Sequence, residues 1–280
     1  MAISVLTNVA SLNAQRNLAT TQASLASSIG KLSSGQRINN AADDAAGLGI
    51  SENLKANIRS ISQAQRNTND GISMSQVAEG GMNEMQGIVS RMRELSVQAS
   101  NSTLGANERG YIHTEFGQLK NEIDRISAVT NFNGQKLLDG SASTGLTFQV
   151  GIFNTANDRI AMSVTKLTSS TLGSTSMHIA SASLSTAAKA QSAIGVFDKA
   201  IQQLSQSRAK VGATQNRMQV SLANLATSHE NLSSANSRIR DVDVASETSM
   251  MTRSQILSQA GVAVLAQANQ MPQSALSLLQ

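Results

Sequence analysis

The sequence has no cysteine and no tryptophan, and it has only one proline and one tyrosine in 280 residues. The absence of cysteine excludes disulfide frameworks, thiolate catalysis and cysteine-based metal sites. Aromatic residues make up 2 % of the chain and charged residues 14 %, whereas a large enzyme usually buries several rings in its core and around its pocket. A chain poor in proline and rings favours long, closely packed helices. We therefore expect a mainly α protein rather than an α/β enzyme.

Clusters of one charge and long apolar runs are also missing. The formal net charge is +4, but no Lys/Arg cluster is interleaved with aromatic residues, so we expect no nucleic-acid partner. No run approaches the roughly eighteen apolar residues that a membrane span requires, so we expect no membrane insertion. The N-terminus lacks the basic segment and apolar run of a cleaved signal peptide. If the protein is exported, we expect a dedicated export route.

Apolar residues recur at alternating steps of three and four, which indicates long helices with coiled-coil packing. Three such series are present: Met74, Ala78, Gly81, Met85, Ile88, Met92, Leu95 and Ala99; Ile112, Phe116, Leu119, Ile123 and Ile126; and Ile194, Phe197, Ile201, Leu204, Val211, Met218, Leu222, Leu225, Leu232 and Ile239. Polar residues interrupt the third series at Arg208, Gln215, His229 and Asn236. They either fix the helix register or lie at a solvated edge of the seam.

The N-terminal part of the chain repeats this pattern. Leu18, Leu25 and Leu32 are seven residues apart, and the helix that they predict ends at Gly35, where glycine supplies a left-handed stop. A second helix is predicted from Asn40 to about residue 100, with carboxylates in its first turn. Its length would be roughly 85 Å. Such a rod needs partner helices to bury its apolar stripe.

The middle of the chain has a different pattern. Leu146, Phe148 and Val150 alternate with polar residues, and a second alternating run follows at residues 160–164. Two such runs joined by a short segment predict a β-hairpin within residues 140–170. Residues 166–187 are rich in Ser and Thr without periodicity, so we expect a linker or loop there.

No catalytic or metal-binding pattern is present. His113, His178 and His229 are far apart and have no metal-ligand spacing. There is no G-x-S-x-G motif, and the pairs Asp43/Asp44 and Asp241/Asp243 are explained as helix-start or exposed carboxylates. We therefore expect neither a cofactor nor a metal, and we expect that the protein is not an enzyme.

Three groups of motifs resemble one known family. They are SIGKLSSGQRINNAADDAAGLGIS at residues 28–51; RMRELSVQAS at 91–100 with NEIDRI at 121–126 and NFNG at 131–134; and SRIRD at 237–241 followed by MTRSQIL, QAG, VLAQANQ and LSLL up to residue 279. In these motifs the sequence resembles bacterial flagellin, the subunit of the flagellar filament. The resemblance covers roughly residues 1–140 and 186–280.

The resemblance implies paired terminal helices that form the inner tube of a filament, and a helical-bundle spoke with a β-hairpin. It assigns residues 1–42 and 240–280 to the tube and residues 43–239 to the spoke, without outer domains. It also implies an extracellular structural protein for swimming motility, which polymerises with itself and leaves the cell through the flagellar export apparatus without a cleaved signal peptide.

Further expectations concern the contact residues and partners. The apolar stripes of the terminal helices predict a subunit interface, because large exposed apolar strips usually mark interaction surfaces; these stripes comprise Leu6, Val9, Leu12, Leu18, Leu25, Leu32, Leu257, Val264, Leu265, Leu276 and Leu279. The family further implies an export chaperone, a filament cap and hook-junction proteins as partners. By resemblance, Arg91, Leu95 and Glu115 are contacts for a host toll-like receptor.

Two alternatives stay open at this point. A hook–filament junction protein of the same superfamily would share the terminal helices but occur in few copies. A secreted helical pore-former or translocator would also use amphipathic helices, although no spanning segment supports it. Long filaments formed after seeding would distinguish flagellin from the junction protein, and liposome leakage would support the pore-former.

Overall fold

The computed structural model describes residues 7–173 and 177–277, and it describes side chains up to residue 270. The five α-helices of these residues are α1 (Val9–Ser34), α2 (Ala45–Ala99), α3 (Ala106–Val129), α4 (Ala187–Arg240) and α5 (Val244–Ser277). Four short strands lie between α3 and α4: β1 (Asn131–Phe132), β2 (Gln135–Lys136), β3 (Leu146–Gln149) and β4 (Arg159–Met162). The predicted mainly α fold with a small mid-chain hairpin is confirmed.

The chain divides into two compact units. Unit 1 comprises residues 1–58 and 231–280, and unit 2 comprises residues 59–230. Both boundaries between the units lie within helices, one in α2 and one in α4. The division expected from the sequence falls in the turn before α2, after residue 42, and at the last residue of α4, before residue 240; it stays a prediction.

In unit 1, α1 and α5 pack as an antiparallel pair. Near the start of α1, the Asn8 side chain donates to the carbonyl of Ala268 at 2.8 Å, and Ser11 Oγ donates to Asn269 Oδ1 at 2.8 Å. Further along, Leu18 lies against Gly261, where an added Cβ would meet the Leu18 side chain at 3.3 Å. The absence of a side chain at Gly261 therefore permits the close approach of the two helices.

The ends of this helical pair are joined by a small backbone junction. Gly35 ends α1 with φ +69°, as the sequence predicts. The N–H of Arg37 donates to the carbonyl of Arg240 at 2.7 Å, and the N–H of Val242 donates to the carbonyl of Gly35 at 3.1 Å. The turn after α1 is thus hydrogen-bonded to the turn before α5.

The start of α2 differs from the sequence prediction. The helix begins at Ala45 rather than Asn40. Asp44 Oδ1 accepts the N–H of Gly47 at 2.8 Å, which is the bonding pattern of a helix N-cap. Asp43 Oδ2 instead accepts the N–H groups of Asn39 and Asn40, so it stabilises the preceding turn. The Asp44 carboxylate thus caps the helix and the Asp43 carboxylate stabilises the turn before it, whereas the sequence predicted both in the first turn of the helix.

Unit 2 has a continuous apolar core formed by α2, α3, α4 and the segment between the strands and α4. Phe116 of α3 and Phe197 of α4 meet in this core with ring centroids 5.9 Å apart. The α2 residues in the core are Ala78, Met82, Met85, Val89, Met92, Leu95 and Ala99. Arg208 Nη1 donates to Gln86 Oε1 at 2.8 Å, and Arg93 Nε donates to Asp198 Oδ1 at 2.7 Å, which fixes α2 antiparallel to α4.

The strands form two separate antiparallel hairpins. In the hairpin predicted from the sequence, β3 pairs with β4 from Leu146–Met162 to Gln149–Arg159. A second, shorter hairpin pairs β1 with β2 through the turn Asn133-Gly134. The alternation of residues 131–136 is too short to predict strands, so only the turn is evident in the sequence.

Residues 166–187 are not a free linker. Leu167, Leu172 and Leu184 are buried in the core of unit 2. The carboxylate of Asp124 on α3 accepts both the N–H and the Oγ–H of Ser169, at 2.8 and 2.7 Å. Of the two expectations, linker or loop, the described residues of this segment fit a loop, and it is a packed one because isolated apolar residues without periodicity still pack against helices.

Candidate subunit interface

The apolar residues predicted at the subunit interface lie on two different faces of the α1–α5 pair. Leu18, Leu25, Leu32 and Leu265 are half-buried, whereas Val9, Leu12, Leu257 and Val264 each keep more than half of their surface exposed. The first set follows the spacing of the seam between the two helices, whereas the second set is exposed on the pair. The assignment of both sets to a subunit interface stays a prediction. Leu6, Leu276 and Leu279 lie outside the residues whose side chains the structure describes.

The α1–α5 pair exposes more apolar residues than the sequence indicated. Ile29 of α1 and Ile256 and Val262 of α5 are also more than half exposed. Heptad spacing did not predict these three residues, because it selects the residues at which the two helices contact each other and not the residues on the other sides of each helix. A different signal was available, since α5 carries apolar residues on more than one face along residues 256–264.

A second exposed feature is a charged cluster on α2 and α3 of unit 2. Arg91 Nη1 lies 3.0 Å from Glu94 Oε2, and its Nη2 lies 3.0 Å from Glu115 Oε1. All three side chains are exposed. The hydrogen bond that Arg91 donates to Glu94, followed by the one that it donates to Glu115, raises the pKa of Arg91 above its ordinary value. The guanidinium of Arg91 is therefore positioned by two carboxylates and stays charged at every physiological pH.

Leu95 does not belong to this surface. Its side chain is only 1 % exposed and packs in the core of unit 2. The expectation that Leu95 contacts a receptor is therefore wrong for the folded chain, because Leu95 is the inward-facing residue of the same helical turn. Arg91 and Glu115 are brought together at the surface.

Residues 7–173 and 177–277 hold no group of three His, Asp or Glu side chains suited to a metal ion. His113 of α3 stacks on Phe116 and accepts the N–H of Leu184 at 3.4 Å, which is a packing role. No described helix is long and apolar enough to cross a membrane. The features of the described surface that offer contacts are thus the apolar face of unit 1 and the charged cluster of unit 2.

Comparison with known proteins identifies the family. The chain matches the bacterial flagellin N-terminal helical region over residues 5–143 and the bacterial flagellin C-terminal helical region over residues 194–279. It is 44 % identical to flagellin of Halalkalibacterium halodurans over 98 % of each chain, and 42 % identical to flagellin of Bacillus subtilis, again over 98 % of each.

Among solved structures, flagellin of Bacillus cereus is 31 % identical and covers 57 % of this chain and 88 % of its own, with a TM-score of 0.48. The hook–filament junction and translocator alternatives gain no support from these relatives, because the matched family and both relatives are flagellins. The two matched flagellin regions and the flagellins of Halalkalibacterium halodurans and Bacillus subtilis show that the chain belongs to the bacterial flagellin family, whose members are structural subunits of the extracellular flagellar filament.

Proposed function

We propose that the exposed apolar face of the α1–α5 pair is the surface through which successive copies of this flagellin join. The observation that carries the proposal is that the pair uses one set of apolar residues internally and leaves a second set exposed. Soluble monomers rarely expose contiguous apolar surface without an interaction to cover it. A second copy supplies such a cover in a homopolymer.

The geometry of the pair favours an open polymer. Val9 and Leu12 lie on α1, whereas Leu257 and Val264 lie on α5, so the two helices present different apolar surfaces. When one surface contacts a different surface on the next copy, copies add without limit unless the rotation closes a ring. We assign residues 1–42 and 240–280 to the inner tube of the filament and residues 43–239 to the spoke. The described residues include no outer domain.

Charged substitutions on the exposed face test this interface. We expect Leu12→Asp and Val264→Asp to abolish filament growth on added seeds while leaving the helicity of the monomer unchanged. The matched control is Val220→Asp, which places the same charge at an exposed valine of α4 in unit 2. Electron microscopy and sedimentation measure growth. Normal filaments from Val264→Asp would overturn the proposal.

We further propose that the chain is exported without a cleaved signal peptide and that its partners include an export chaperone, the filament cap and hook-junction proteins. The family supports these assignments. Mass spectrometry of the secreted protein tests the proposal of export without cleavage, because an uncleaved chain retains the sequence that begins MAISVL. A secreted chain that lacks this N-terminal segment would contradict it.

The charged cluster of unit 2 supports a second proposal, recognition by a host toll-like receptor through Arg91 and Glu115. An arginine held in place by two carboxylates is an effective anchor, because less side-chain freedom is lost when it binds a partner. We expect Arg91→Ala to weaken receptor binding by the monomer by more than about 1 kcal/mol. Arg125→Ala is the matched control, since Arg125 forms an exposed pair with Glu122 on α3. Equal losses for both variants would contradict a specific role for Arg91.

A further inference from the structure

The turn between β1 and β2 contains the only asparagine of the chain that is followed by glycine, Asn133-Gly134. Both residues have positive φ, at +50° and +80°, which is the conformation of a two-residue type I′ loop. Both are also exposed to solvent. We propose that Asn133 is a site of spontaneous deamidation in the folded protein, with conversion to aspartate and isoaspartate.

The groups that must react are free in this turn. Among the described residues, neither the N–H of Gly134 nor the side-chain amide of Asn133 forms a hydrogen bond. Gly134 has no side chain to shield its nitrogen, and nothing lies within 4 Å of where a Cβ would be. Water and hydroxide therefore reach both reacting groups.

The reaction needs no enzyme and no cofactor. Hydroxide removes the N–H proton of Gly134, and the nitrogen attacks Cγ of Asn133. The new N–Cγ bond closes a succinimide ring as the Cγ–Nδ2 bond breaks, and Nδ2 takes a proton from water and leaves as ammonia, which regenerates hydroxide. Water then opens the ring at either carbonyl, which gives aspartate or isoaspartate. Neither step changes the oxidation state of any atom.

Two other asparagines outside the helices are held by hydrogen bonds, on their side chain or on the following N–H. Asn131, two residues earlier in the same hairpin, donates its side-chain amide to the carbonyl of Val129 at 2.8 Å, and bulky Phe132 follows it. Asn39 is followed by Asn40, whose N–H is held by Asp43 at 2.9 Å. Asn131 is thus a control within the same molecule.

Ring closure requires Asn133 to leave its left-handed conformation, so the hairpin must open. The β1–β2 hairpin pairs only two residues on each side, and so short a hairpin is marginal on its own. It is anchored just beyond the strands, where Leu137 donates its N–H to the carbonyl of Thr130 and is completely buried. We therefore expect the tip to open locally while its base stays packed.

The test follows the mass of the intact, full-length protein and of its peptides during incubation at mildly alkaline pH. Each event raises the mass by about one dalton, and electron-transfer fragmentation distinguishes isoaspartate from aspartate. We expect conversion at Asn133 to be at least about tenfold faster than at Asn131, because asparagine is thermolabile where its surroundings permit reaction. Circular dichroism during the incubation verifies that the chain stays folded.

Asn133→Gln is the control variant, since a glutamine side chain must close a larger ring and reacts slowly. It should remove the fast phase of the mass increase while leaving the other sites unchanged. The proposal is overturned if Asn131 and Asn133 convert at equal rates. It is also overturned if Asn133 converts only after the chain is unfolded in urea.

Discussion

Phe116 and Phe197 are the paired aromatic rings in the core of unit 2, and Phe197 is completely buried. We expect Phe197→Ala to lower the free energy of unfolding by about 3–5 kcal/mol, through lost burial and a residual cavity. Leu222→Ala should cost less than about 2 kcal/mol, because Leu222 is only half-buried although it lies in the same heptad series.

Urea unfolding of the full chain, followed by circular dichroism, compares the two variants. Ser221→Ala serves as the control beside Leu222, and a change within about 0.5 kcal/mol is expected there. Equal destabilisation by Phe197→Ala and Leu222→Ala would show that heptad position, rather than burial, determines the cost.

Asp43 gives a residue-scale prediction about pH. The N–H of Asn40, followed by that of Asn39, lowers the pKa of Asp43 below its ordinary value of 3.8. A carboxyl group with a lowered pKa stabilises the fold above its unfolded pKa, and this stabilisation is lost as the pH falls through the folded pKa. We therefore expect the turn at residues 39–43 to be intact at neutral pH and to loosen only in acid below 3.8.

Nuclear magnetic resonance measures this directly. The amide proton shifts of Asn39 and Asn40 should titrate together with the Asp43 carboxyl group, and Asp43→Asn should remove that titration. Amide shifts that do not change in acid, or that titrate equally in Asp43→Asn, would contradict the role of this carboxylate.

At the scale of elements, Arg240 at the end of α4 contacts both the turn after α1 and the start of α2. Its side chain is only 14 % exposed, and its guanidinium nitrogens lie 2.9 Å from Gln36 Oε1 and 2.5 Å from Glu52 Oε1. We expect Arg240→Ala to speed hydrogen exchange at the N–H groups of Arg37 and Val242, because these backbone bonds lie beside the lost side chain.

Arg238→Ala is the matched control, since Arg238 is exposed and its Nη1 bonds only to Ser234 of the same helix among the described residues. Exchange should be unchanged in that variant. If Arg240→Ala left exchange at both amides unchanged, the backbone bonds alone would account for the junction.

Most of the helices are predictable from the sequence, since heptad spacing indicates where they lie and Gly35 indicates the end of α1. The spacing errs by one residue in α2, where Met82 and Val89 take the central core positions instead of Gly81 and Ile88. Other predicted positions, Ala78, Met85, Met92, Leu95 and Ala99, are buried, so the pattern follows the core along the helix and misses it at these two turns only.

Other features depend on contacts between distant residues and are not evident in the sequence. The packing of residues 166–187 depends on Asp124, and the burial of Leu18 depends on its neighbour on α5. The charged cluster likewise requires α3 to bring Glu115 beside Arg91. Local periodicity carries no information about such tertiary partners.

At the scale of the whole molecule, removal of most of α5 should separate folding from assembly. We expect a chain lacking residues 254–280 to stay soluble and to retain a folded unit 2, because the core of that unit is formed within residues 59–230. It should not polymerise, since the exposed residues of α5 and the partner of α1 are lost.

Thermal unfolding and seeded growth measure the two properties separately. Val220→Asp in the full-length chain controls for an unrelated surface change. Filaments of normal length from the truncated chain would show that assembly does not depend on the α1–α5 pair.

The antiparallel pairing of α1 with α5 has a consequence for the order of folding. Asn8 and Ala268 are hydrogen-bonded although 260 residues separate them in sequence, whereas α2 and α3 are joined by a short loop. Closing a long loop costs chain entropy, and contacts of large sequence separation form slowly. Once unit 2 has formed, it shortens the effective loop that joins α1 to α5. In pulse-labelling hydrogen exchange we therefore expect the amides of α3 to gain protection first and those of α1 and α5 last, as the chain closes from its middle toward its ends.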